Sequence, residues 1–228
     1  AGGQVVFVST LDVDRDGDNV LDNEGGVFLG EVSPDGTTST FVKISGDGSS
    51  GLPAAHYTDL IMDPGDVSRP LRLFAATPNF GIYQWTQPPD GDGLWHQVNT
   101  GFQFGTDGDA DGNDDLLQGA IRIKFAIHEA SGTLYAAVLG PVDGTGLFNL
   151  AGAGGSGLIG IFKTVNSGGN WTSVAVPTST DAATTYGLNP GGQGDVHFSI
   201  TVDPSNEDRI YVAGDVQPVV SGNSRGLT

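Results

Sequence analysis

Three segments of this chain repeat one order of short apolar runs, and that recurrence restricts the fold more than any other feature. The first is YTDLIMDPGDVSRPLRLFAATPNFGIYQWTQPPDGDGLWHQVN, residues 57–99. The second opens IRIKFAIHEASGTLYAAVL at 121 and resumes as GIFKTVNSGGNWTSVAV at 160. The third, VHFSITVDPSNEDRIYVAGD at 196–215, holds half of the pattern. Each full copy reads as four strands, a to d. Strand a is apolar and ends near Asp-Pro in the first and third copies (60–62, 123–127, 198–202). Strand b is LRLFAAT, TLYAAVL or RIYVAGD, strand c is GIYQW or GIFKT, and strand d carries a tryptophan in LWHQV or NWTSV. The intervening residues are Pro, Gly, Asp and Ser, which suit tight turns. The N-terminal part supplies b, c and d of an earlier copy in VVFVST, GGVFLGEV and TFVKI.

The chain of 228 residues with 37 glycines and 12 prolines agrees with many short strands and not with long helices. The expectation is an all-β fold of four-stranded antiparallel units in one domain over 1–228. It would comprise a partial unit over 1–50, complete units over 51–100 and 101–176, and a partial unit over 177–228. Repeated four-stranded units of this size resemble the blades of a β-propeller, here two full blades and two partial ones.

Net charge is −18, from 27 acidic and 9 basic residues. Nucleic acid is not an expected partner, because phosphate binding needs clustered Lys and Arg. There is no cysteine, which removes disulfides and thiol chemistry. No apolar run is long enough to cross a bilayer as a helix, so membrane insertion is not expected. The chain opens on Ala1 and shows no leader, so the expectation is a mature or trimmed part of a longer protein.

TVNSGGNW, residues 164–171, resembles the Asp-box of the BNR or sialidase-type repeat, Ser/Thr-x-Asp-x-Gly-x-x-Trp. Thr164, Gly168 and Trp171 match, and Asn166 stands where the box has Asp. Asp90 and Trp95 keep the spacing in the preceding unit, but Asp92 replaces the Gly; Ser33-x-Asp35 survives further upstream, with Phe41 one residue late. The resemblance implies a structural turn between strands c and d, with the Trp packed between blades, away from that family's active site. Trp85, Trp95 and Trp171 are accordingly expected in packing rather than as sugar platforms.

Two stretches concentrate aspartate. Asp107-x-Asp109-x-Asp111-Gly112-Asn113-x-Asp115 places alternating carboxylates in one loop, with a Gly for the sharp turn. A hard cation with six to eight oxygen ligands, such as Ca²⁺, requires such an arrangement. The stretch also resembles the calcium loops of FG-GAP repeats. That likeness implies side-chain ligation by Asp107, Asp109, Asp111 and Asp115, and backbone ligation by Asn113. The second stretch, DVDRDGDNVLDNE at 12–24, fits two registers. Starting at Asp14 it offers Asp14, Asp16, Asp18, the Val20 carbonyl and Asp22, with Glu24 or Asp12 as an extra ligand, and resembles a thrombospondin type-3 repeat. Starting at Asp12 it suits the Gly17 turn but puts Val20 at the ninth position. About two Ca²⁺ ions would offset part of the acid excess.

The long connections, at the two Asp stretches, 140–159 and 177–194, all fall between strands b and c or between d and a, which a propeller places on one face. That face is expected to carry binding, and the face of the short a–b and c–d turns to be scaffold. His56 and Asp59, and Asp195, His197 and Ser199, open strand a on the long-loop face, but their spacing builds no nucleophile elbow. The six arginines are Arg15, Arg69, Arg72, Arg122, Arg209 and Arg225. Sialidases cluster theirs around the substrate carboxylate; Arg69, Arg72 and Arg209 fall near the other face. The expectation is a calcium-stabilised, non-catalytic module for adhesion, structural assembly or binding, extracellular or on the cell surface. Its partners would be other chains of the same protein or a surface glycan or protein. GGQGDVHFSITVDPSNEDRIYVAGD has the look of large secreted bacterial proteins. The alternative is a glycan-active hydrolase of the sialidase or xyloglucanase-like propeller type, with catalytic residues partly outside this chain.

Overall fold

The computed structural model describes residues 4–10, 25–32, 38–46, 48–78, 80–102, 119–149, 154–181 and 183–215. The described fold is all-β and antiparallel. The chain divides into two compact units, residues 1–98 and 99–228.

The first unit holds two sheets. β1 (Gln4–Thr10), β2 (Gly26–Val32) and β3 (Thr38–Lys43) form a three-stranded meander in the order β1-β2-β3. β4 (Asp59–Asp63), β5 (Arg72–Thr77), β6 (Gly81–Thr86) and β7 (Trp95–Gln97) form a four-stranded meander in the order β4-β5-β6-β7. Val27, Leu52, Tyr57, Leu73, Ala75, Tyr83 and Trp95 bury themselves in one core, with Phe7, Leu60 and Trp85 against its margin. The three-stranded sheet therefore packs on the face of the four-stranded one. The Phe7 and Trp85 rings lie 6.2 Å apart across that junction.

The second unit repeats the plan. β8 (Arg122–His128), β9 (Thr133–Pro141), β10 (Ser156–Thr164) and β11 (Thr172–Val174) form a four-stranded meander in which each strand pairs with its neighbour in the chain. A hairpin, β12 (Ser179–Asp181) with β13 (Thr184–Tyr186), and a single helical turn, α1 (Gly194–His197), precede β14 (Ser199–Asp203) and β15 (Asn206–Ala213). Ala126, Tyr135, Ala137, Leu139, Leu158, Ile161, Phe198 and Val202 form the core between the four-stranded sheet and the β14–β15 pair.

The strands follow from the side chains. β5 and β9 read as nearly unbroken apolar runs because both of their faces are covered; Leu134, Ala136 and Val138 are buried as fully as Ala137 and Leu139 on the other face. β15 alternates exposed and half-buried residues, as a strand with one covered face must. The two middle strand pairs use the same size matching. Ala75 and Ala76 lie opposite Tyr83 and Ile82, and Ala136 and Ala137 lie opposite Phe162 and Ile161. Small residues opposite large ones let the layers approach without voids.

The outermost strands are only three residues long, and a repeated lock holds each of them. The Trp95 N–H donates to the Ser50 carbonyl at 2.8 Å, and the Trp171 N–H donates to the Thr100 carbonyl at 2.8 Å. The next residue is glycine in both cases, Gly51 with φ +86° and Gly101 with φ +92°. A Cβ at Gly51 would meet the Trp95 carbonyl at 2.3 Å, and one at Gly101 would meet the Trp171 carbonyl at 2.1 Å. The following apolar residue, Leu52 or Phe102, is buried. Ser50-Gly51-Leu52 and Thr100-Gly101-Phe102 thus clip onto the final strand of the sheet that follows each of them in the chain.

The strands expected over 5–213 appear in order, with boundaries moved by a few residues. The β12–β13 hairpin and α1 are additions inside a segment expected as loop. Gly101→Ala combines left-handed strain with a backbone clash, so it should lower stability by about 2–3 kcal/mol. An Ala substitution at Gly144, where a Cβ meets nothing within 4 Å, serves as the control in urea unfolding.

Candidate functional site

The two Asp stretches, with Asp14, Asp16, Asp18, Val20, Asp22 and Glu24 in one and Asp107, Asp109, Asp111, Asn113 and Asp115 in the other, lie outside the described residues, as do Ser33 and Asp35. Their points of attachment are described. The first stretch leaves a hairpin whose mouth is closed by the Thr10–Gly26 pair. There the Gly26 N–H donates to Thr10 Oγ1 at 3.1 Å. The second leaves from buried Phe102 and returns at Gly119, whose carbonyl lies 2.7 Å from where a Gly140 Cβ would be. Both begin and end at closely held backbone.

In the second unit the long connections meet. Ser156, at the start of β10, forms a parallel bridge with Gln193, and the Gly187 N–H donates to the Thr145 carbonyl at 3.0 Å. Residues 143–147 fold around Asp143, whose Oδ1 accepts from Thr145 Oγ1 at 2.6 Å and from the Thr145 N–H at 2.8 Å. Asp215, beyond the end of β15, accepts from the Gln193 N–H at 2.8 Å. Asn189 is fully buried, and its Oδ1 accepts from the Leu158 N–H. These groups stand at the end of the sheet where β9 finishes and β8, β10 and β14 begin, so 140–149 and 187–194 share one end, as expected.

Asp195, His197 and Ser199 also stand at this end, but they form no relay. Ser156 Oγ donates to the Asp195 carboxylate at 2.7 Å and accepts from the Asp195 N–H at 2.9 Å. Arg122 donates to the Asp195 carbonyl. His197 and Ser199 are exposed. The carboxylate thus serves the fold of α1. His56 and Asp59 belong to the first unit, before and at the start of β4.

The opposite end carries the short turns, and here a second repeated device appears. Asp63 ends β4 and accepts from Arg69 Nη1 through both carboxylate oxygens, at 3.1 and 3.0 Å. Asp203 ends β14 and accepts from Arg209 Nη1 at 3.1 Å. Each Asp precedes Pro, and the Arg follows six residues later. The spacing Asp-Pro-x₄-Arg therefore describes a clamp across the a–b turn. It accounts for two arginines that would otherwise be candidates for binding a substrate carboxylate. Their proximity to Asp-Pro in the sequence was the available signal.

Acidic side chains in turns at both ends find donors two residues ahead. Asp66 accepts from the Ser68 N–H and hydroxyl, Asp143 from those of Thr145, and Asp203 from those of Ser205. The Ser68 hydroxyl, then the Ser68 N–H and Arg69, hold the Asp66 carboxyl down at about 2. The Ser205 hydroxyl and N–H, followed by Tyr211 and Arg209, hold Asp203 down at about 2.

The turn between β10 and β11 is the one that resembles the Asp-box. Buried Thr164 accepts the Gly168 N–H at 3.1 Å and donates to Asn166 Oδ1 at 2.8 Å, which also accepts the Asn170 N–H at 3.0 Å. Asn166 uses only its oxygen for the turn, the atom type that an Asp would present, which explains why Asn serves here. Gly168 takes φ +85°. Trp171 is buried against Phe102, with centroids 4.9 Å apart, and Phe102 stacks on Phe162 at 4.5 Å. In the first unit Trp95 is buried and Trp85 partly so. These three tryptophans are packing residues.

Asn166→Ala removes the acceptor of two donors and should cost about 1–2 kcal/mol in chemical denaturation, while Asn166→Asp should stay within about 0.5 kcal/mol. Acid gives a separate check. Asp203 sits below its ordinary value of 3.8, so its contribution is present above that value and lost as pH falls toward about 2. The melting temperature should drop through that window, and Asp203→Asn should lower it at neutral pH while flattening the drop. No protein-family model matches the chain, and no curated protein or solved structure matches it significantly.

Proposed function

We propose that this chain is part of a β-propeller, calcium-stabilised and non-catalytic, that serves adhesion, structural assembly or binding outside the cell or at its surface. β4–β7 and β8–β11 would be its complete blades, and β1–β3 and β14–β15 its partial ones. The carrying observation is that locks recur along the chain: the Gly–Trp clip in both four-stranded meanders, and the Asp-Pro clamp at β4 and again at β14 of the following strand pair. Such recurrence belongs to a stacked repeat rather than to a single sandwich.

Calcium is supported by a contrast within the chain. The described acids at Asp66, Asp143 and Asp203 each have Ser or Thr two positions on, and its hydroxyl and N–H neutralise the carboxylate locally. In 107–115 the residues two positions after the aspartates are Asp109, Asp111, Asn113, Leu116 and Leu117. In 12–24 they are Asp14, Asp16, Asp18, Val20 and Glu24. No hydroxyl is available there, and 106–115 contains no Lys or Arg. A multivalent cation answers that repulsion. Loops filled by weak calcium sites suit a millimolar-calcium exterior.

The meeting of 140–149 with 187–194 supports that end as the surface for other chains of the same protein or for a surface glycan or protein. A glycan-hydrolase reading draws no support from Arg69 and Arg209, which are held by Asp63 and Asp203. Thermal unfolding in millimolar calcium, then in excess EGTA, then after calcium is restored tests the proposal. A reversible fall of several degrees is expected. An unchanged melting temperature, together with no calcium uptake by calorimetry, would remove the cation from the account.

A further inference from the structure

The clamp at the a–b turn has one exception. β8 ends in His128, where β4 and β14 end in Asp63 and Asp203. The His128 ring reaches from its own turn to the next sheet. Its Nε2 lies 3.1 Å from the Pro204 carbonyl, and its Nδ1 lies 2.9 Å from Ser131 Oγ. Pro204 sits in the β14–β15 turn, so this contact joins the two sheets of the second unit at their short-turn end.

The hydrogens in this network can be counted. The Pro204 carbonyl only accepts, so Nε2 must carry a proton. Thr133 Oγ1 donates to Glu207 Oε2 at 2.8 Å, and a carboxylate only accepts. Ser131 Oγ donates to Thr133 Oγ1 at 2.9 Å, or to the Glu207 carboxylate beside it. Either way its single hydrogen is spent away from the ring. Ser131 Oγ also accepts the Thr133 N–H at 3.2 Å, which leaves one lone pair for a second donor. The Nδ1 contact is therefore satisfied when Nδ1 also carries a proton. A neutral ring would have to take the Ser131 hydrogen back, so that Ser131 no longer donates to Thr133 Oγ1, while Thr133 still donates to Glu207.

We propose that His128, Ser131, Thr133 and Glu207 form a proton-dependent joint between the β8–β9 turn and the β14–β15 turn, closed when both ring nitrogens are protonated. The charge has an answer nearby. Glu129 stands on the same turn, and Asp203, Glu207 and Asp208 come from the facing pair of strands. Arg209 is paired to Asp203, and Lys163, from β10, is paired to Asp208. Glu207 is the carboxylate that the hydroxyl chain connects to the ring, and Tyr135 fixes it from below by donating to its carbonyl at 2.8 Å. A cavity of about 380 Å³ lined by Ile127, His128, Glu129, Ala130, Val202 and Pro204 opens the ring to water, so protons can exchange without unfolding. The device lies at the end opposite the long connections and does not depend on the calcium reading.

A joint closed by the doubly protonated ring contributes stability in acid and loses it as pH rises. Histidine is the side chain that titrates between about pH 5 and pH 8. The melting-temperature difference between the wild-type chain and His128→Gln should be about 3 °C at about pH 5 and close by about pH 8. Ser131→Ala should remove the pH-dependent part of that difference. The same comparison for His96→Gln, whose ring pairs with Asp92 on an exposed turn, sets the size expected of a surface pair. Ring-nitrogen NMR on the wild-type chain gives a reading that requires no variant. Protons on both nitrogens of His128 at about pH 5, lost together with the contact to Pro204 toward about pH 8, support the joint. A neutral single-tautomer ring throughout, or a His128→Gln cost that does not change with pH, overturns it.

Discussion

A single backbone hydrogen bond decides whether each four-stranded sheet in this protein is complete. The last strands, β7 and β11, have three residues each, too few to hold themselves on a twisted sheet. The Trp N–H at the edge of each finds its acceptor outside the sheet, in the carbonyl before Gly51 or Gly101. The glycine lets the backbones touch, the next apolar residue fills the core, and the indole is buried in the same step. Edge strand, core residue and the chain segment leading into the sheet are thereby ordered together. Outward-facing edges this short also offer little template for stray pairing.

The two ends of each sheet then divide their tasks. At the short-turn end four of the described connections are closed by side chains: Asp63 with Arg69, Asp203 with Arg209, Thr164 with Asn166, and Ser131 with Thr133. Those turns cost little chain and leave little freedom. At the other end of the second unit the connections run for many residues and are folded on one another through backbone contacts among glycines, such as Gly187 against Gly146 and Gly192 against Gly154. Such close approach is possible only without a Cβ. It explains why so glycine-rich a segment is ordered over 140–149 and 187–194.

The strand plan was readable because its signal is repetitive and local. An apolar run, a turn of Pro, Gly, Asp and Ser, and a second apolar run give the same answer each time, so an error in one copy is corrected by the next. The Asp-box-like turn was readable for the same reason: its contacts lie within eight residues, from Thr164 to Trp171. The Gly–Trp clip was not, because Gly51 and Trp95 are 44 positions apart and Gly101 and Trp171 are 70 apart, and nothing in either sequence window announces the other. The β12–β13 hairpin was hidden by its composition, since STD and TTY carry no apolar alternation. The Asp195, His197 and Ser199 group illustrates the opposite failure. Proximity in sequence suggested chemistry, whereas the Asp195 carboxylate is engaged by Ser156 from 39 positions away.

Charge ties these observations together. With nine cations for 27 acids, the chain cannot neutralise itself by ion pairs. In the turns it spends guanidinium groups where strand a ends in Asp-Pro, at Asp63 and Asp203, uses Ser or Thr at Asp66 and Asp143, and sets His96 against Asp92. The Ser and Thr solutions place a donor two residues from a single carboxylate. Alternating aspartates leave no room for one, because the position that a hydroxyl would occupy holds the next aspartate. The two Asp stretches therefore cannot use the hydroxyl donor found at Asp66, Asp143 and Asp203, and that contrast is what the calcium proposal rests on. By the same reasoning His128 is the informative exception among the turn clamps. Where the other two turns close on an Asp–Arg pair, its ring reaches the Pro204 carbonyl of the next sheet and the Ser131 hydroxyl of its own turn.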